Sequence, residues 1–297
     1  MVWASGWRLA SAVSNAGGLG LIGSGSMYPD VLREHIRKCK AATGKTFGVN
    51  IPLLYPDIDK HIAIVIEEKV PVVFTSAGNP ATWTPVLKQH DIKVVHVVSS
   101  SRFAQKAEQA GCDAVVAEGF EAGGHNGREE TTTLVLVPAV CRAVSIPVIA
   151  AGGIATGRQM LAAMVLGAEG VQVGSRFVAS EEASSHLNFK KAVINATEGD
   201  TELSMKRLVP VRLIKNKFFE AIARAEAAGA SAATLKDILG RGRAKKGMFE
   251  GDMEEGELEI GQSSILIRDI LPATIIMHNL CTEFNEALAD TEKKTYF

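Results

Sequence analysis

Ile149-Ala150-Ala151-Gly152-Gly153-Ile154, with Val171-Gln172-Val173-Gly174-Ser175-Arg176 one unit later, sets the pattern for the whole chain. In each stretch a short apolar run breaks into glycine, and Gly157–Leu166 between them carries helical periodicity. Neighbouring glycines let backbone amides approach an anion with no Cβ in the way. Taken alone, Gly152-Gly153 reads equally well as a tight turn with no ligand. The second turn adds a hydroxyl at Ser175 and a guanidinium at Arg176. Two such turns ending consecutive strands point to one shared phosphate.

The same unit repeats upstream. Apolar runs at Leu19–Ile22, Phe47–Ile51, Val72–Thr75, Ile92–Val98 and Ala114–Ala117 precede Pro147–Ala150 and Val171–Val173. Helical stretches lie between them at Pro29–Ala42, Asp57–Lys69, Arg102–Ala110, Thr133–Val144 and Gly157–Leu166, with Gly44, Gly111 and Gly167 as stop signals. The runs are continuously apolar rather than alternating, the mark of parallel strands buried on both faces.

Such alternation makes an open doubly wound sheet or a closed barrel. Polar or glycine-rich residues end nearly every strand, and the glycine turns sit on the last two, so the expectation is an α/β protein of the (β/α)8 TIM-barrel type. Only seven strands are visible where such a barrel has eight, and the chain opens in what reads as a loop, Met1–Gly6. The expectation is therefore a barrel whose first strand is missing from this chain. Residues 1–195 form the barrel, 196–262 a small helical cap, and 263–297 a last helix returning to the barrel wall. Lys206–Gly229 reads as charged and helical, with no strand pattern.

A net charge of -1 over 297 residues gives no electrostatic footprint for nucleic acid or an anionic membrane. The basic Arg241–Lys246 segment is a solvated face or a docking spot for an acidic partner, and the acidic Glu250–Glu259 run lacks EF-hand spacing. Cys39, Cys112, Cys141 and Cys281 show no metal-ligand spacing and read as reduced thiols, so no metal is expected. No run reaches the ~18–20 apolar residues of a membrane helix, and no signal peptide is visible. The cytoplasm is the default.

The densest polar stretch is Glu118-Gly119-Phe120-Glu121-Ala122-Gly123-Gly124-His125-Asn126-Gly127, directly after a strand. A histidine there titrates near neutrality and can donate or accept a proton. Asn50 and Thr75 place an amide and a hydroxyl at two other strand ends; Asn50 also reads as an Asx-type cap and Asn79-Pro80 as a turn. His35, His61, His90 and His186 read as solvated, and His96 as a core histidine.

Together these segments resemble the flavin-dependent enoyl-acyl carrier protein reductase II and nitronate monooxygenase (2-nitropropane dioxygenase) superfamily. The resemblance runs nearly end to end through SNAGGLGLIG (14–23), FGVN (47–50), AGNP (77–80), AEGFEAGGHNG (117–127), IAAGGI (149–154), VQVGSRF (171–177) and VRLIKN (211–216), then the Gly251-Asp252 to Gly261-Gln262 segment. It implies FMN at the mouth of the barrel, its phosphate held by Gly152, Gly153, Gly174 and Ser175. Asn50, Thr75, Glu118 and Gln172 would lie around ribityl and ring, with His125 the catalytic histidine. Met1 aligns with the last residue of the family's Gly-Gly-Met loop beneath the flavin, whose two glycines, with the first strand, are missing here.

The AGNP, VRLIKN and Gly-Gln features resemble the reductase more than the monooxygenase, although Pro52–Pro56 follows the reductase loop only loosely. The implied activity is reduction of trans-2-enoyl thioesters by NADH or NADPH in fatty-acid synthesis, on acyl carrier protein or a small-molecule substrate. Whether the chain is a homodimer stays open. The alternatives are oxidation of alkyl nitronates with O2, a flavin-free lyase or isomerase whose turns bind a substrate phosphate, and a non-catalytic binding module.

Overall fold

The computed structural model describes residues 1–294. Seven parallel strands form one curled sheet: β1 (Gly20–Gly23), β2 (Phe47–Pro52), β3 (Val72–Ser76), β4 (Lys93–Val98), β5 (Ala114–Glu118), β7 (Val148–Ala151) and β8 (Gly170–Gln172), hydrogen-bonded in that order. Helices lie between consecutive strands, as in an α/β barrel. Among the described residues β1 and β8 are the two edges of this sheet, and no strand joins them. The free side of β1 is instead covered by the Met1–Ser5 segment, where Ser5 O accepts from Gly23 N–H at 2.9 Å and Ser5 Oγ donates to Leu21 O at 2.5 Å.

Both faces of these strands are apolar because both are buried. The inner face packs Phe74, Val95, Ala114, Val116 and Ala151 with Leu21, Val72, Val97 and Ile149. The outer face sets Val49, Ile51, Val73, Val94, Val115 and Val148 against Leu32, Ile36, Val65, Leu136 and Val140 of the surrounding helices. Helix starts follow local chemistry. Thr156 and Gln159 form a reciprocal capping box for Gly157–Val165, and Ser100 caps Ser101–Gln109 through Phe103 N–H.

The segment expected to be a purely helical cap is not. It contains β9 (Thr201–Ser204) and β10 (Val211–Ile214), which pair antiparallel. A third strand, β6 (Gly124–His125), comes from the loop after β5 and pairs with β10. The strands are short and sit beside the strong helical signal of Lys217–Ala227, which masks them in the sequence. Met205, Val211, Leu213, Phe218, Ile222 and Leu235 form a separate small core beneath that helix.

The last helix, Ala273–Glu292, packs on Gly157–Val165, and its Glu283 carboxylate accepts from Gly157 N–H at 2.7 Å. Residues 295–297 of this segment lie outside the described residues. No helix among the described residues is long and apolar enough to cross a membrane, and no cluster of His, Cys, Asp and Glu suited to a metal occurs among them.

Candidate active site

The Gly119–His125 loop is the hub of the mouth. Gly152 and Gly153 both hold left-handed backbone, φ 90° and 68°, which side-chain-bearing residues rarely adopt. A Cβ on Gly152 would lie 2.7 Å from Gly119 O, so loop and turn touch backbone to backbone. Glu121 reaches back from the loop to accept from Thr133 N–H and Thr133 Oγ1. Its carbonyl accepts from Gln262 N–H at 2.9 Å, while Ser175 Oγ accepts from Gly261 N–H at 3.1 Å. The two glycine turns are thereby linked through the loop and the Gly261-Gln262 segment.

Gly174 is open. A Cβ there would meet only Met1 within 4 Å, at 3.9 Å from its thioether, which places Met1 beside the second turn. Gln172 shares the inner face, and its buried Oε1 has no hydrogen-bond partner. Glu118 ends β5 on that face too, in line with Ala114 and Val116. Burial pushes its carboxyl up to about 7. On β2, Asn50 donates through Nδ2 to Phe74 O at 3.3 Å and to Ser76 Oγ at 3.4 Å.

Thr75 does not join this group. Side chains alternate along a strand, and Phe74 and Ser76 take the inner face. Thr75 Oγ1 instead meets His96 Nδ1 at 2.7 Å, buried on the outer face with Val73 and Val94. Burial holds the His96 ring down to about 4. His61, expected to be solvated, is also buried, with Nε2 unpartnered.

His125 lies on β6, exposed, opposite Val211. Its neighbour Arg212 was not among the expected site residues. The buried Arg212 guanidinium donates to Phe120 O at 3.2 and 3.0 Å and stacks 4.5 Å over the Phe120 ring. Across the mouth, Glu259 approaches Gly124, and Glu257 is buried beside it. Burial and the Glu259 charge hold the Glu257 carboxyl well above the usual range, and both glutamates with burial raise the Tyr55 phenol.

Three of the four basic residues of the Arg241–Lys246 segment are already paired. Arg243 pairs with Glu255, Lys245 with Glu250 and Lys246 with Asp252, at 3.1, 2.7 and 3.1 Å. The neighbouring acidic run supplies all three partners.

The chain is similar to known proteins in sequence and overall fold. The nitronate monooxygenase family profile matches residues 1–61 and 55–283. A probable nitronate monooxygenase of Staphylococcus aureus is 32% identical over 95% of this chain and 91% of its own length. FabK from Thermotoga maritima superposes with a TM-score of 0.94 at 45% identity, covering 98% of this chain and 93% of that one. Nitroalkane oxidase from Streptomyces ansochromogenes gives 0.84 at 28% identity over 98% and 95%. The chain belongs to the nitronate monooxygenase family and is a flavin-dependent oxidoreductase on an α/β barrel-type fold.

Proposed function

We propose that this chain reduces trans-2-enoyl thioesters, carried on acyl carrier protein in the cytoplasm, with NADH or NADPH as reductant and FMN as the flavin. The observation that carries the reading is the 45% identity to FabK, an enoyl-acyl carrier protein reductase II, against 32% and 28% to the nitronate monooxygenase and nitroalkane oxidase relatives.

The residues present suit an FMN. An open space at Gly174, an orphaned Gln172 Oε1 and an inward Glu118 carboxyl are what a polar cofactor would satisfy. Gly152, Gly153, Gly174 and Ser175 would hold the phosphate through backbone amides and the Ser175 O–H, whose oxygen already accepts from Gly261. Asn50, Glu118, Gln172 and Met1 would line ribityl and ring. When bound, FMN supplies the hydride that the β-carbon of the thioester receives.

The chain's own part is orientation and proton handling. His125, exposed at the mouth, donates its ring N–H to the thioester oxygen as negative charge develops there, or delivers a proton to the α-carbon. Arg212 holds the Phe120 carbonyl and so fixes the loop that carries the histidine. Glu118 is neutral below about pH 7 and can donate a hydrogen bond inward.

Anaerobic stopped-flow reduction by NADH, followed by mixing with crotonyl thioester, tests the reading. Reoxidation without oxygen is expected. A second reading, oxidation of alkyl nitronates, draws on the family match and the curated relatives. Flavin that stays reduced until O2 is admitted, with a nitronate consumed, would favour it.

A further inference from the structure

The entrance has two unlike sides. The loop after β5 brings Glu118, Glu121 and the His125 imidazole. A second side, built from the segments after Met1, after β2 and at the turn Lys245–Phe249, is apolar. A Cβ on Gly25 would meet the Pro52 ring and a Val2 methyl at 3.0 Å each and the Tyr55 ring at 3.5 Å, so all three converge on Gly25. Trp3 donates its backbone N–H to Ser26 Oγ at 3.0 Å, and its ring centroid lies 5.4 Å from that of Phe249. Much of this surface faces water: Tyr28 is 80% exposed, Leu54 77%, Phe249 43% and Tyr55 39%.

Single exposed apolar side chains are ordinary, but a strip assembled from separate segments marks a binding surface. Its position identifies the occupant. It begins beside the second glycine turn, since Val2 follows Met1, whose thioether would lie 3.9 Å from a Cβ on Gly174. It is also close to the histidine loop: the Glu259 carboxylate abuts Gly124, next to His125, and its charge helps to raise the Tyr55 phenol. The strip therefore leads away from the reacting end of the entrance. A molecule with a polar head at His125 and a linear hydrocarbon tail matches both sides. An ionic tail gains nothing there, and a short nitronate would leave the strip in water.

We propose that Trp3, Leu54, Tyr55 and Phe249 hold the acyl tail of the enoyl thioester and make the enzyme selective for chains well beyond four carbons. The inference rests on the enoyl thioester reading and names the substrate class within it.

Anaerobic reoxidation of the NADH-reduced holoenzyme by crotonyl, hexenoyl, octenoyl and decenoyl coenzyme A tests it, because the coenzyme A arm is constant and only the tail varies. The second-order rate constant is expected to rise about threefold for each added methylene. Leu54→Asn and Phe249→Gln should each lower that slope while leaving the crotonyl rate and the melting temperature unchanged, since both side chains are exposed. Leu54→Met should restore the slope. A wild-type rate independent of tail length, or a slope that neither polar variant lowers, would overturn the proposal and leave the enoyl reading intact. Reduced flavin that no thioester of any length reoxidises would overturn both. A polar variant that also changes the sedimentation coefficient would assign the strip to a second copy of the chain and so overturn the proposal.

Discussion

Thr133 binds the Glu121 carboxylate twice, through its backbone N–H and its hydroxyl, each at 2.9 Å. The same hydroxyl lies 3.0 Å from the Gly152 carbonyl, so one side chain joins the histidine loop, a wall helix and the first glycine turn. Thr133→Val keeps the shape and removes the shared proton. A loss of about 1–3 kcal/mol in urea unfolding is expected, with faster release of flavin. An unchanged midpoint would show that Thr133 holds nothing together.

Gly174 and Gly152 separate cofactor binding from folding. At Gly174 a Cβ finds open space on ordinary backbone, φ -106°. Gly174→Ala should therefore melt like the wild type yet purify with little flavin, because the methyl would occupy the phosphate's place. Gly152→Ala should instead lower the melting temperature, since its φ of 90° is strained for alanine and Gly119 O blocks the methyl. An alanine at 174 that binds flavin normally would move the phosphate elsewhere.

His125 is exposed and makes only strand contacts, so its removal should leave the fold alone. His125→Ala is expected to retain flavin and be reduced by NADH at the normal rate, while enoyl thioester turnover falls about 10²–10⁴-fold. Equal turnover in both proteins would remove the imidazole from the chemistry.

The buried His96 ring should appear in the acid limb of stability. Its value of about 4 lies below the ordinary 6.5. As pH falls through 6.5 the unfolded chain takes up a proton that the folded one refuses until about 4. Stability present above 6.5 is thus lost on the way down to 4, by up to about 3 kcal/mol. His96→Asn should flatten that limb in urea titrations between those limits. A slope as steep as the wild type's would place the titration elsewhere.

The seven strands and the helix Pro29–Ala42, down to its end residues, are legible in the sequence because burial on both sheet faces and a proline start leave local signatures. That same two-sided burial hides which way a strand residue points. Thr75 and Asn50 look alike in sequence, each a polar residue at the end of an apolar run. Only the strand's parity puts one toward the helices and the other inward. Arg212 escapes for a different reason. Within Val-Arg-Leu-Ile it looks like an ordinary solvated charge, and its partner Phe120 is 92 residues away. The small sheet is invisible because its third member is two residues of a glycine loop, which acquire strand geometry only when β10 lies beside them.

β6 is at once part of the barrel loop and the edge of the cap's sheet. The cap therefore cannot swing as a lid over a stationary imidazole, since any rotation of β9 and β10 drags His125 along and pulls Arg212 from Phe120. In the proposed reaction, opening the entrance and withdrawing the His125 imidazole would be one movement, so the ring would be in place only while the door is shut.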